Sequence, residues 1–172
     1  MQVIVVHDHR YDRTPDGAIW SWAYGPKVWK RYLAVFDRIT IVARVRDVDR
    51  VEATWKRNDS DVVRFHPIPY YLGPTQLLRQ FRAVQRAVNA AYDPEAAYLL
   101  RVSGTLPTML EKVLRRHRHP YGVEVISDPY DQFAPGSMRH PLRPFVRWQY
   151  TANLRRQCAR AVAALYVTRF AL

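Results

Sequence analysis

Short β-branched apolar runs alternate with longer stretches of helical periodicity along nearly the whole chain, and this alternation constrains the fold more than any other feature. The runs are Val3–Val6, Ile39–Val45, Val62–Pro69, Ala97–Val102, Val123–Ser127 and Ala161–Thr168. Between them lie a stripe of Trp22, Pro26, Trp29, Leu33 and Phe36, a second of Leu77, Phe81, Val84, Val88 and Ala91, a third through Leu106, Met109, Leu110, Val113 and Leu114, and a long helical stretch from Pro141 to Arg160. Strands separated by helices pair in parallel through right-handed crossovers. Runs that are apolar throughout suit strands covered on both faces. The expectation is an α/β chain: one Rossmann-like three-layer sandwich over residues 1–172, with a mostly parallel sheet in strand order 3-2-1-4-5-6. In such sheets ligands lie outside the carboxyl ends of the strands.

Two strand-end segments carry candidate site residues. The first, HDHRYDRTPDGAIWSWAYG from His7, reads as a long loop before the first helix, with Asp16 and Gly17 placed to let the backbone approach a ligand. It lacks GxGxxG, so the dinucleotide fingerprint is missing. His7, Asp8 and His9 have metal-ligand chemistry, but no further histidine or carboxylate is paired with them in sequence, and loop hydrogen bonding explains them better. The second segment is SDPYDQFAPG from Ser127. There Asp128 and Asp131 are placed to orient or deprotonate a substrate hydroxyl; equally, Asp128 caps a turn and Asp131 structures the loop.

The formal charge is +12, from 27 Lys and Arg against 15 Asp and Glu, and arginine supplies most of it. Such a charge suits an anionic partner or a solvated basic surface. Arg139, Arg143, Arg147, Arg155, Arg156 and Arg160 occur from Arg139 to Arg160 without an acid among them, interleaved with Leu142, Phe145, Trp148 and Tyr150. That mixture fits an anionic membrane interface; the alternative is an ordinary helix with its aromatics on the sheet and its arginines in water. RRHRH, Arg115–His119, reads as helix C-terminal cations favoured by the macrodipole. Cys158 is the lone cysteine, so no intramolecular disulfide forms. With no signal-peptide pattern in residues 1–20, a cytoplasmic location is expected, extended by the basic helix to the inner face of the membrane. GxSxG, Walker, HExxH and CxxC motifs are absent.

Taken in order, VIVVHDHR, the loop with Gly17, FDRITIVARV, RVSGTLPTMLEKVL, PYGVEVISDPYDQFAPG and ALYVT resemble the amino-terminal half of a GT-B glycosyltransferase of the retaining, nucleotide-sugar class, from Gln2 to Thr168. The resemblance implies a lobe that binds an acceptor glycan or lipid, with a nucleotide sugar as co-substrate, no tightly bound cofactor and no metal. A separate donor-binding lobe, absent from residues 1–172, would complete the enzyme, and activity of this lobe alone would be weak or absent. The family's inner loops map onto Asp16-Gly17, Arg101–Gly104 and Asp128–Asp131. This makes Asp16, Gly17, Ser103, Gly104 and Tyr130 acceptor-side candidates, and Asp128 and Asp131 catalytic ones. Where many members carry a histidine in these loops, this chain has none, and Arg169 follows VT where members commonly have glutamate. The alternatives are a non-catalytic subunit that binds a membrane surface or a partner chain, and, on charge alone, a nucleic-acid-binding domain, for which no recognised module is present.

Overall fold

A computed structural model describes residues 1–136 and 141–166. The first strand, β1, runs over Gln2–Arg13 and is followed by β2 (Ile19–Ser21), α1 (Lys27–Leu33), β3 (Arg38–Asp47), β4 (Lys56–Arg57) and β5 (Val63–Pro69). The second half contains α2 (Gly73–Ala90), β6 (Ala97–Val102), α3 (Thr105–Arg116), β7 (Gly122–Val125), α4 (Pro129–Gln132), α5 (Arg143–Arg160) and β8 (Ala163–Tyr166). The chain is mixed α/β around an eight-stranded, mostly parallel sheet. Its parallel strands lie in the order β5-β3-β1-β6-β7-β8, which is the expected 3-2-1-4-5-6 order when those strands alone are counted. The small strands β2 and β4 extend it antiparallel beside the end of β1.

Alternation along β1 divides the core in two. Val3 and Val5 pack with Trp29 and Tyr32 of α1 on one face, while Ile4 and Val6 pack with residues of α2 and α3 on the other. The second face also receives Leu154 and Cys158 of α5. Phe81, expected in the apolar stripe of α2, is instead 47% exposed, whereas Val84 and Val88 are fully buried. Trp22 lies outside α1 and is also exposed. RRHRH follows its structural reading: Arg115 and Arg116 close the last turn of α3, His117 stacks on Tyr92, and His119 bonds the Ala96 carbonyl.

The segment after Val6 corrects the sequence expectation. His7–Arg13 is strand, and Thr14–Ala18 is the turn of a hairpin into β2. Polar residues extend this strand because neighbours in register neutralise one another. Asp12 lies opposite Arg46 and Arg13 opposite Asp47, and both pairs are bidentate ion pairs. Opposite charges across a ladder stabilise it. Between these pairs and the apolar run the register slips: Val6 faces Val42 and the next pair is Arg10 with Arg44, so His7, Asp8 and His9 stand opposite Ala43 alone. The slip is of two residues, so the faces of β1 are kept across it.

Candidate binding crevice at the strand ends

The chain leaves β1 toward β3 and β5 on one side, and later returns to β6 and β7 on the other. The strand order therefore reverses between β1 and β6, where an open α/β sheet forms its ligand crevice. A cavity of about 550 Å3 lies there, lined by Asp8, Arg44, Tyr71, Gly73, Pro74, Leu77, Thr105, Phe133, Val146 and Tyr150. Its residues come from the carboxyl ends of β1 and β3, the starts of α2 and α3, the segment after β7, and α5.

Asp8 and Arg44 are the charged groups of this cavity. Asp8 follows Ile4 and Val6 on the face toward α3, where its Oδ2 accepts the Thr105 N–H at 2.6 Å. That N–H is one of the helix's free first-turn donors, and an anion there is favoured by the helix dipole. Asp8 Oδ1 lies 2.9 Å from Arg44 Nη2. Arg44 donates from Nη1 to the Tyr71 carbonyl and from Nη2 to the Asp8 carbonyl, and its guanidinium sits 4.7 Å from the centre of the Tyr71 ring. Burial, with the Asp8 carboxylate beside it, pushes the Tyr71 phenol above its ordinary value. Asp8 Oδ1 and Arg44 Nε are both buried, the first held by that ion pair and the second without a hydrogen bond to a described residue.

On the opposite face, His7 and His9 belong to a separate polar network. Arg101 donates to His7 Nε2 at 3.0 Å, so Nδ1 carries the proton and donates to the Tyr11 hydroxyl at 3.1 Å. Burial and the Arg101 guanidinium hold the His7 imidazole well below its ordinary value. His9 accepts from the Ser21 hydroxyl at 2.9 Å, because that oxygen already accepts from the Ala23 and Tyr24 amides. Burial, then Arg10, lowers His9 to about 4. Glu124, fully buried, accepts from Arg101 Nε, from Arg31 and from the Tyr32 hydroxyl. Burial and that bond to Glu124 raise Tyr32 to about 12. This network ties β1, β6 and β7 to α1 beneath the crevice. Strand alternation sends Asp8 to the face of Ile4 and Val6 and both histidines to the face of Val3 and Val5, and among the described residues no three His, Cys, Asp or Glu groups are gathered to hold a metal.

The sequence candidates are scattered by the fold. Gly104 caps α3 against Asp8: a Cβ on it would meet Asp8 Cβ at 2.8 Å. Ser103 lies beside it, its hydroxyl buried. Asp16 and Gly17 sit instead in the hairpin turn, where Thr14 donates to Asp16 at 2.5 Å and Gly17 takes φ +84°; neither lines the crevice. Asp128 is the N-cap of α4, accepting the Tyr130 N–H at 2.8 Å, and Asp131 is exposed on that helix.

The basic-helix candidates divide as well. Tyr130 is stacked under the Arg147 guanidinium at 3.4 Å. Arg143 donates to the Phe133 carbonyl, and Arg147 to the Tyr130 carbonyl. Together with Trp148 and Arg155 they line a groove of about 560 Å3 on the outer side of α4 and α5. Arg156 bonds Asn153 within α5 and lies outside that groove. Arg139 lies outside the described residues. Phe145 and Trp148 do not face the sheet, contrary to the ordinary-helix reading; they are 55% and 66% exposed.

Asp8, Arg44, Arg101 and Glu124 escaped the site prediction. Arg101 and Glu124 had a legible signal, since each is a charge inside an otherwise apolar strand run, AYLLRV and VEVIS. Asp8 was visible only as part of the His7, Asp8, His9 cluster, which reads as loop rather than as strand.

Over 133 residues the chain is 29% identical to Protein CapJ of Staphylococcus aureus, an alignment covering 77% of this chain and 34% of that protein. The chain thus spans about a third of the length of the curated relative it matches. No family model matches the chain, and no solved structure does. Among the described residues no helix is long and apolar enough to cross a membrane.

Proposed function

We propose that this chain is the acceptor-binding lobe of a glycosyltransferase, one Rossmann-like half of a GT-B enzyme whose donor-binding lobe holds the nucleotide sugar. The observation that carries the reading is the crevice at the β1/β6 reversal, with Asp8 and Arg44 at its polar end. Asp8 is fixed by the Thr105 amide and by its ion pair with Arg44, and the two together form the polar end for an acceptor hydroxyl. In this reading Asp8 orients that hydroxyl, Arg44 holds it from the other side, and Gly104 keeps the α3 start close enough for Asp8 to reach. Asp128 and Asp131 shape the segment after β7 that closes the crevice beside Phe133. The length of the matched relative, roughly three times the aligned span, leaves room for a second lobe.

The test is to join this chain to a nucleotide-sugar-binding lobe and follow sugar transfer to hydroxylated acceptors. Transfer should occur and should fall by roughly 100-fold or more in Asp8→Ala, as for loss of a general base or positioning group. Failure with every nucleotide sugar tried, or an unchanged rate in Asp8→Ala, overturns the assignment. A second reading, a non-catalytic subunit on a membrane surface, is favoured by the exposed Phe145 and Trp148 among the arginines of α5. It predicts vesicle binding with no transfer under any combination.

A further inference from the structure

We propose that the crevice takes the neutral, hydroxylated head of a glycolipid, and that the first halves of α2 and α5 rest on the anionic bilayer that holds its tail. This rests on the acceptor-lobe reading and narrows its acceptor to a membrane lipid.

The crevice is amphipathic. Its polar end is Asp8 and Arg44, and its walls are Tyr71, Leu77, Phe133, Val146 and Tyr150. At the polar end Asp8 and Arg44 form an ion pair, Oδ1 2.9 Å from Nη2, so their charges offset one another. A hydroxyl suits such a pair, since it can donate to a carboxylate and accept from a guanidinium. A phosphate does not fit as well, because the Asp8 carboxylate repels it and the Thr105 amide is already taken. The apolar walls need an apolar continuation of the same ligand.

The rim indicates where that continuation comes from. Helices α2 and α5 connect parallel strands across one sheet face, so both run antiparallel to the strands and begin at the crevice end. Their first halves carry exposed apolar side chains: Leu78 and Phe81 on α2, and Phe145 and Trp148 on α5, with Leu142 just before it. Arg79 and Arg82 accompany the first group and Arg143 and Arg147 the second, and neither helix contains an Asp or Glu. Apolar and aromatic side chains interleaved with arginine match the boundary of an anionic bilayer, where each basic residue adds about 1 kcal/mol. A water-soluble acceptor would require no such rim.

Two measurements on the chain itself test this, using n-octyl glucoside below its micelle concentration and vesicles of equal parts phosphatidylglycerol and phosphatidylcholine. Octyl glucoside should bind about tenfold or more tighter than glucose, from burial of its alkyl chain. That preference should be lost in Leu77→Asn and in Val146→Asn, and Arg44→Gln should weaken binding of the head about tenfold. The chain should sediment with the mixed vesicles, lose them at high salt, and lose them in the Phe145→Ser/Trp148→Ser variant, whose substituted side chains are exposed and whose fold is checked by circular dichroism. Equal binding of glucose and octyl glucoside, indifference to Leu77, Val146 and Arg44, or equal sedimentation with pure phosphatidylcholine overturns the proposal. If a joined enzyme glycosylates a water-soluble acceptor while octyl glucoside does not bind, the glycolipid inference falls and the acceptor-lobe reading stands. If octyl glucoside and vesicles bind as expected but no nucleotide sugar supports transfer, the transfer reading falls and the glycolipid site stands.

Discussion

The Asp8 carboxylate accepts the Thr105 backbone N–H at 2.6 Å, tying the bulged end of β1 to the first turn of the helix that follows β6. The two residues flank the point where the strand order reverses, so one hydrogen bond sets the width of the crevice. Asp8→Ala removes the acceptor of a half-buried amide and the ion partner of Arg44 together. Urea unfolding should show a loss of about 1–3 kcal/mol, and Asp8→Asn, which still caps, should lose less.

Gly104 and Gly17 should respond to alanine for different reasons. At Gly104 the new methyl would stand 2.8 Å from Asp8 Cβ, so either Asp8 or the start of α3 must move. The expected cost is about 1–3 kcal/mol from overpacking, accompanied by weakened ligand binding in the crevice. At Gly17 nothing lies within 4 Å, but φ is +84°. Alanine there should cost about 1 kcal/mol through backbone strain and leave crevice binding unchanged. Denaturation and octyl glucoside binding, measured on both variants, separate the two effects.

Glu124 is the anchor beneath the site. It is fully buried and holds Arg101, Arg31 and Tyr32. Glu124→Gln strands the buried Arg101 guanidinium and should cost about 3–5 kcal/mol, the usual penalty for removing one member of a buried pair. Arg31 has a side chain 43% exposed, so Arg31→Ala should stay within about 1 kcal/mol. Thermal or urea unfolding of the two variants checks the ranking.

His9 makes stability depend on pH. Its ordinary value is 6.5 and the folded chain lowers it to about 4. Between these values the unfolded chain binds the extra proton, so stability rises with pH across the window. The contribution is complete above about 6.5 and is lost as pH falls toward 4; His7 acts in the same direction. His9→Gln should therefore flatten the dependence of the urea midpoint on pH between 6.5 and 5, where most carboxylates remain ionised. A slope equal to that of the unaltered chain would refute the assignment.

The parallel strands and their order were legible because each is a short, mostly apolar run and most of the crossovers have helical periodicity. The bulge was not. In HDHRYDR every residue except Tyr11 is polar, and local pattern marks it as loop. It becomes strand through partners far away in sequence, Arg44, Arg46 and Asp47 on β3 and Arg101 on β6. For the same reason Asp16-Gly17 looked like the glycine loop of a binding site and is instead the turn of a hairpin. On α5 the sequence showed arginines and aromatics together, but only packing shows that Phe145 and Trp148 face outward while Gln157 is buried, its side chain bonded to Thr108 and its carbonyl accepting from Tyr121.

The sequence by itself determined the class of the fold, the order of the parallel strands and the end of the sheet where a ligand belongs. Those follow from hydrophobic periodicity and from the handedness of crossovers, which are local and general. The tertiary structure alone decided which residues form the crevice. Because His7–Arg13 continues β1, alternation places Asp8 toward α3 and both histidines toward Arg101 and Ser21. That this polar stretch is strand at all is fixed by pairing across the sheet with β3 and β6 rather than by the order of residues along it.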